Sequence, residues 1–193
     1  MSFKILFMGT PSFSVPILKT LNLSSHRILE VYTQPPKKKN RGQKINLSPV
    51  HKYSNEIDIS VRYPSTLDTQ IELDHIKKLK PDVVVVVAYG KIIPPKFLNL
   101  KNIIFINIHA SLLPKWRGAA PIQRAIMNGD KETGISIMKI VTELDSGPIL
   151  IKSRIEITKN ISFEQLSYKM SNLGAKLILD ALDLIENNNV NFV

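Results

Sequence analysis

The sequence predicts an α/β fold, a twisted and mostly parallel sheet with helices on both faces. Helix patterns follow strand patterns four times with short connections, the rhythm of repeated strand–helix–strand units. Asp82 to Ala88 contains five consecutive valines, as expected of a strand covered on both faces. Near the C-terminal end the rhythm changes, and two strand patterns flank a short loop, predicting antiparallel strands there. Together these describe a Rossmann-like sheet with an antiparallel edge.

Each element has its own local signal. Phe3 to Met8 reads as a buried strand, Gly9-Thr10-Pro11-Ser12 as a strand-to-helix turn, and Phe13 to Leu21 as a helix. Ile28 to Thr33 is a second strand, after which the polar, Pro-containing stretch from Gln34 to Asn46 interrupts the pattern. Ser48-Pro49 opens a short helix, with Ser as N-cap and Pro in the first turn. Ile57 to Val61 is a weaker strand. Gln70 to Leu79 is a helix stopped by Pro81. Ile103 to Ile108 is the expected neighbour of the valine strand, and Ala120 to Met127 a helix. Ile135 to Val141 and Pro148 to Ile157 flank Leu144-Asp145-Ser146-Gly147. In the last helix Ser162 and Gln165 form a capping-box pattern, and Phe163, Leu166, Met170, Leu173, Leu177 and Ala181 trace one apolar stripe.

A chain of 193 residues fits a single domain, 1–193, and buries roughly 70% of its unfolded surface. No internal repeat is visible. The lack of cysteine removes disulfides, thiol nucleophiles and thiolate metal sites. The histidines, His26, His51, His75 and His109, are too scattered for a metal-ligand pattern, so no metal is expected. The longest apolar run is far below the ~18 residues a membrane span needs, and no signal segment is visible. The expectation is a soluble, cytoplasmic monomer with no membrane partner.

The net charge of +10 has two readings, a polyanionic partner or a compositional bias towards Lys, Asn and Ile. Its distribution is more informative. No acidic residue lies between Val31 and Asn55, whereas Lys37, Lys38, Lys39, Arg41, Lys44 and Lys52 are all basic. Such a run is either a solvated loop or a contact to nucleic-acid phosphates, with Arg41 in reach of a base edge.

The chemistry is concentrated in one stretch. Asn107 and His109, two residues apart at the end of an apolar strand, leave the same face at the C-terminal sheet edge, where open α/β folds hold ligands. On its own each is equally a satisfied polar strand end, and Asp145 equally a turn former. An amide, an imidazole and a carboxylate brought together form an acyl-transfer set, in which the amide holds an oxyanion and the other two manage protons. Competing readings are weak. Gly9-Thr10-Pro11 lacks the second glycine of a dinucleotide fingerprint, and Ser111 is not in a nucleophile elbow.

The run from Asn107 to Ile126, with Phe7-Met8-Gly9-Thr10-Pro11, Thr33-Gln34-Pro35, Arg41-Gly42, Ser48-Pro49-Val50, Val85 to Gly90 and Leu144-Asp145-Ser146-Gly147, resembles the methionyl-tRNA formyltransferase family. The matches follow the family's order over nearly the whole chain. The resemblance implies a formyltransferase fold and transfer of a formyl group from 10-formyltetrahydrofolate to the α-amino group of initiator methionyl-tRNA, through a tetrahedral intermediate. It implies that Asn107 holds the formyl oxygen, His109 assists charge stabilisation and proton transfer, and Asp145 orients His109. It further implies folate contacts at Ser111, Leu112, Leu113 and Pro114, with main chain near Tyr89, Gly90 and Val141 to Leu144 walling the pterin pocket. The tRNA acceptor end would meet Lys37, Lys38, Lys39, Arg41 and Lys44. Here Pro36-Lys37-Lys38-Lys39-Asn40 departs from the family's usual Asp-Arg-Pro-x-Gly pattern while keeping positive charge. Family members normally continue into a second, basic β-barrel domain, and the expectation for 1–193 is the catalytic domain without it. Two alternatives stay open at this level, a formyltransferase for a small amine such as a sugar or purine precursor, and a non-catalytic RNA-binding remnant.

Overall fold

The computed structural model describes residues 2–39 and 44–187. It resolves into two compact units, one spanning Ser2–Phe105 and the other running from Ile106 onward. The fold is α/β, with mostly parallel strands, antiparallel strands near the C-terminal end, and helices around them.

In the first unit β1 (Lys4–Gly9) pairs in parallel with β2 (Arg27–Tyr32) on one side. On its other side β1 pairs in parallel with the valine strand. The core strands are apolar without alternation, as a sheet covered on both faces demands. Ile5 to Met8 are fully buried, and so are Val83, Val84, Val85 and Val87. Burying one such side chain stabilises by about 1.5–3 kcal/mol before entropy is set against it. A one-turn 3-10 segment, Ser12–Ser14, leads into α1 (Val15–Asn22), which buries Ile17, Leu18 and Leu21.

Between Gln34 and Asn46 the structure differs from the irregular stretch that the sequence predicts. β3 (Lys37–Lys39) and β4 (Lys44–Asn46) pair antiparallel, Lys38 opposite Ile45. A ribbon of this composition has no apolar face to alternate, so periodicity carries no trace of it. α2 (Pro49–Glu56) starts as expected, the Ser48 hydroxyl accepting from the His51 amide at 3.0 Å. It then runs as far as Glu56, and the weak strand predicted at Ile57 to Val61 shrinks to β5 (Val61–Arg62), parallel to β2. α3 (Gln70–Leu79) has the predicted bounds; Thr69 caps it, and Lys80 ends it in the left-handed region at φ 51°. β6 is the valine strand, Val83–Val87, and α4 (Pro95–Leu98) is a single turn that the sequence reading does not anticipate.

β7 (Ile104–His109) starts in the first unit, where the Ile104 amide donates to Asp82 O at 3.0 Å, and carries the chain into the second. There α5 (Pro121–Met127) is followed by β8 (Glu132–Lys139) and β9 (Ile149–Glu156). β8 pairs antiparallel with both β7 and β9. α6 (Phe163–Glu186) begins with the predicted capping box: the Ser162 hydroxyl accepts from Gln165 N, and Gln165 Oε1 accepts from Ser162 N. Leu166, Met170, Leu177 and Ala181 are buried against β8, β9 and α5, whereas Phe163, in the first turn, is 39% exposed.

Candidate active site

The second unit assembles the three predicted reactive side chains by itself. β7 presents Asn107 opposite Met138 of β8, and His109 opposite Ser136. The loop leaving His109 is stapled to β8 through Ser136, whose hydroxyl donates to Ser111 O at 2.7 Å and accepts from Leu113 N at 3.1 Å. Ser111 in turn donates its hydroxyl proton to Lys115 O. These buried bonds leave the loop little freedom next to His109.

Asp145 arrives from the turn between β8 and β9. Gly147 makes that turn possible, because a Cβ there would overlap the carbonyl of Lys139. Lys139 N closes the turn by donating to Pro148 O at 3.0 Å. Asp145 itself sits at φ 46°, a conformation that Asp tolerates better than most residues but still at a cost. Its carboxylate receives Asn107 Nδ2–H at 3.2 Å on one oxygen and the Gly118 amide at 2.8 Å on the other. Gly118, at φ 86°, supplies that amide from a backbone conformation suited to glycine.

His109 lies between two partners. Its Nε2 is 2.9 Å from the carbonyl of Trp116, and a carbonyl only accepts, so Nε2 carries the proton. Its Nδ1 is 3.5 Å from Asp145 Oδ2, close enough for charge to be felt but too long for a hydrogen bond. Both side chains are nearly enclosed, His109 7% exposed and Asp145 11%. The arrangement therefore holds one imidazole nitrogen fixed and leaves the other, beside a carboxylate, to exchange a proton. Asn107 has two amide protons and gives one to Asp145, which leaves the second for an oxygen that develops charge.

The other expected residues are placed less uniformly. Ser111 and Leu113 are buried in their own unit, where they frame the loop, whereas Leu112 and Val141 are half-buried and Pro114 and Leu144 are exposed. Tyr89 and Gly90 belong to the first unit. Their carbonyls accept from Gln34 Nε2 at 3.2 and 3.0 Å, and Tyr89 O also accepts from the Thr10 hydroxyl. Lys37, Lys38, Lys39 and Lys44 lie on the β3–β4 ribbon, and Arg41 lies outside the described residues. Among the described residues no group of three or more His, Asp or Glu is arranged to hold a metal, and no helix is long and apolar enough to cross a membrane.

Three contributions are not anticipated from sequence: the Trp116 carbonyl, the Gly118 amide and the side chain of Asp130. Asp130 follows Asn128-Gly129, so its only local signature is that of a turn. Its carboxylate, 5% exposed, accepts from Trp116 Nε1 at 2.7 Å, Lys115 Nζ at 2.8 Å and Asn128 Nδ2 at 2.7 Å. Burial alone would raise its pKa, but the bonds from Lys115, Asn128 and Trp116 outweigh that and hold it below the usual carboxylate range.

Known proteins are similar to this chain in sequence and fold. A profile of formyl transferases matches residues 3–182. A methionyl-tRNA formyltransferase of Pelagibacter ubique is 53% identical over 193 residues, covering 100% of this chain and 62% of the relative. One of Coxiella burnetii is 47% identical over 190 residues, covering 98% of this chain and 60% of the relative. The chain thus spans about three fifths of the length of the curated relatives it matches. Among solved structures, a glycinamide ribonucleotide transformylase from Symbiobacterium toebii superposes with a TM-score of 0.77 at 16% identity, covering 97% of this chain and 89% of that one. A sugar N-formyltransferase from Shewanella does so with a TM-score of 0.73 at 18% identity, covering 98% of this chain and 72% of that one. At such identities the structural likeness speaks for the fold alone; the profile match over nearly all of the sequence shows that the chain belongs to the formyl transferase family.

Proposed function

We propose that this chain carries the catalytic portion of a methionyl-tRNA formyltransferase, moving a formyl group from 10-formyltetrahydrofolate to the amino group of methionine on initiator tRNA. The observation that carries the reaction is the Asn107–His109–Asp145 cluster, with a spare amide proton and a free imidazole nitrogen beside a carboxylate. The acceptor rests on the relatives' names and on the basic residues Lys37, Lys38, Lys39, Arg41 and Lys44, where the chain has no acid to repel phosphates.

In this reading the methionine amine attacks the formyl carbon, and a new C–N bond forms as the carbonyl becomes an oxyanion. The second Nδ2 proton of Asn107 holds that oxygen. His109 Nδ1 takes the proton that the amine loses, and Asp145 stabilises the imidazolium that results. The C–N bond to the folate then breaks, with the proton passed to the departing nitrogen. Leu112, Pro114, Val141 and Leu144, which keep exposed surface in the loops that follow His109 and carry Asp145, give the flat pterin an apolar seat, while buried Ser111 and Leu113 hold the shape of the loop. The protein would do this in the cytoplasm as a monomer, with no metal.

Formyl transfer is measured from 10-formyltetrahydrofolate to charged initiator tRNA, with charged elongator tRNA and an amino sugar as controls. The expected result is transfer to initiator tRNA above both controls. Preferential transfer to the sugar would assign the chain to a small-amine acceptor. Binding of tRNA without any transfer at saturating folate would make it an RNA-binding remnant.

A further inference from the structure

We infer that Asp130 is a positioning residue for His109, acting through the indole and carbonyl of Trp116; this rests on the acyl-transfer reading above. The connection is continuous within the second unit. Asp130 Oδ2 accepts from the Trp116 indole at 2.7 Å, and Trp116 O accepts from His109 Nε2 at 2.9 Å.

Trp116 needs such an anchor. Its backbone is in the left-handed region at φ 59°, which is unfavourable for a residue with a Cβ. A peptide in that state keeps its carbonyl aimed at His109 only if surrounding contacts over-determine it. Asp130 supplies them. One oxygen fixes the indole, and the other holds Lys115, whose ammonium lies 5.5 Å over the Trp116 ring. Asn128, from the same turn, completes the set by donating to the oxygen that Lys115 uses.

The consequence for chemistry lies in the tautomer. A neutral imidazole carries one proton, and the Trp116 carbonyl keeps it on Nε2. Nδ1, the nitrogen beside Asp145, is then the one with a free lone pair. If the carbonyl swings away, the proton is free to settle on Nδ1 with Asp145 as acceptor, and the base that should receive the amine proton is blocked. Asp130 thus decides which imidazole nitrogen reacts while remaining two residues removed from any substrate. A carboxylate here serves three donors at once, whereas an amide has one acceptor oxygen and adds donors of its own.

The test compares Asp130→Asn, Trp116→Phe and the double variant. Trp116→Phe keeps an aromatic ring under Lys115 while removing the indole N–H together with the five-membered ring, and serves as the second variant should Asp130→Asn prove unstable. In each single variant kcat for formyl transfer is expected to fall about tenfold or more, with KM for the folate donor within about twofold of wild type. In the double variant the loss is expected to fall well short of the product of the two single losses, because both act through Trp116. The imidazole nitrogen resonances of His109, followed by NMR in the free protein, are expected to move from a single Nε2–H tautomer to a mixture. Unchanged kcat in the folded single variants, fully additive losses, or an unaltered tautomer would each overturn the inference. The NMR readout needs no turnover, so failure of the formyl-transfer reading itself would leave it intact and separately visible.

Discussion

Glu72 and Asp145 are both carboxylates set deep in their own units, and the difference between them separates structure from chemistry. Glu72, 8% exposed, is saturated: Arg62 Nε and Nη2 donate to its two oxygens at 3.0 and 2.9 Å, and the Tyr32 hydroxyl adds a third bond at 2.9 Å. Asp145, 11% exposed, has the Gly118 amide at 2.8 Å, a longer bond from Asn107 at 3.2 Å, and His109 Nδ1 only at 3.5 Å. A saturated network resists change because each lost bond leaves a buried charge exposed to a poor medium. A slack one can shift a proton without dismantling anything. The first arrangement holds β2, β5 and α3 together; the second has capacity left for a reacting group.

The sharpest way to break the contrast is to exchange the readouts. Asn107→Ala removes the proposed oxyanion donor, and kcat is expected to fall by about 10²–10³, as for other single oxyanion donors. His109→Ala is expected to fall at least as far. Glu72→Gln should leave kcat per folded molecule at the wild-type value. Single-turnover formylation on folded protein, with circular dichroism to count the folded fraction, measures both. Equal losses in Asn107→Ala and Glu72→Gln would erase the distinction.

A smaller but still clear effect is expected in stability. Arg62→Met takes both guanidinium bonds from Glu72 and leaves Tyr32 as its remaining side-chain donor among the described residues. Because Arg62 is itself 33% exposed, the cost is set at about 2 kcal/mol, within the range for bonds to a charged group. Urea unfolding measures it. A change below about 0.5 kcal/mol, typical of an ordinary surface substitution, would mean that the network is not holding the unit together.

Much of this was legible in the sequence, and the illegible parts share a cause. The valine strand, α3, and the capping box of α6 announce themselves because their signals lie in neighbouring side chains. Asn107 and His109 were readable as polar residues closing an apolar strand, and Asp145 as the acid of a turn that Gly147 permits. The Trp116 carbonyl and the Gly118 amide were not readable, since main-chain groups look alike at every position. Asp130 was hidden for a related reason, as its partners Lys115 and Trp116 are distant in sequence. The β3–β4 ribbon escaped because its sequence carries no apolar alternation, and β5 was overestimated because α2 keeps its helical run to Glu56 before the chain turns.

The finest test of the contrast is its pH dependence. Burial would raise the pKa of Glu72, but the hydrogen bonds from Arg62 and Tyr32 prevail and hold it below the ordinary carboxylate value. A group whose folded pKa is depressed leaves the unfolded chain binding more protons, so its stabilisation is present above the unfolded value and is lost as pH falls through the folded one. The unfolded value for Glu is about 4.3. The unfolded chains share that titration, and without Arg62 burial moves the folded Glu72 upward, so wild type and Arg62→Met should differ by a constant amount at neutral pH and by progressively less as the pH falls from that raised value through the depressed wild-type one. Asp130, depressed in the same direction, is untouched by the substitution and drops out of the difference. Urea midpoints collected across that range give the curve directly. A difference that stays constant into strong acid would mean that Arg62 stabilises through packing of its stem and not through Glu72, and the saturated network would lose its electrostatic account.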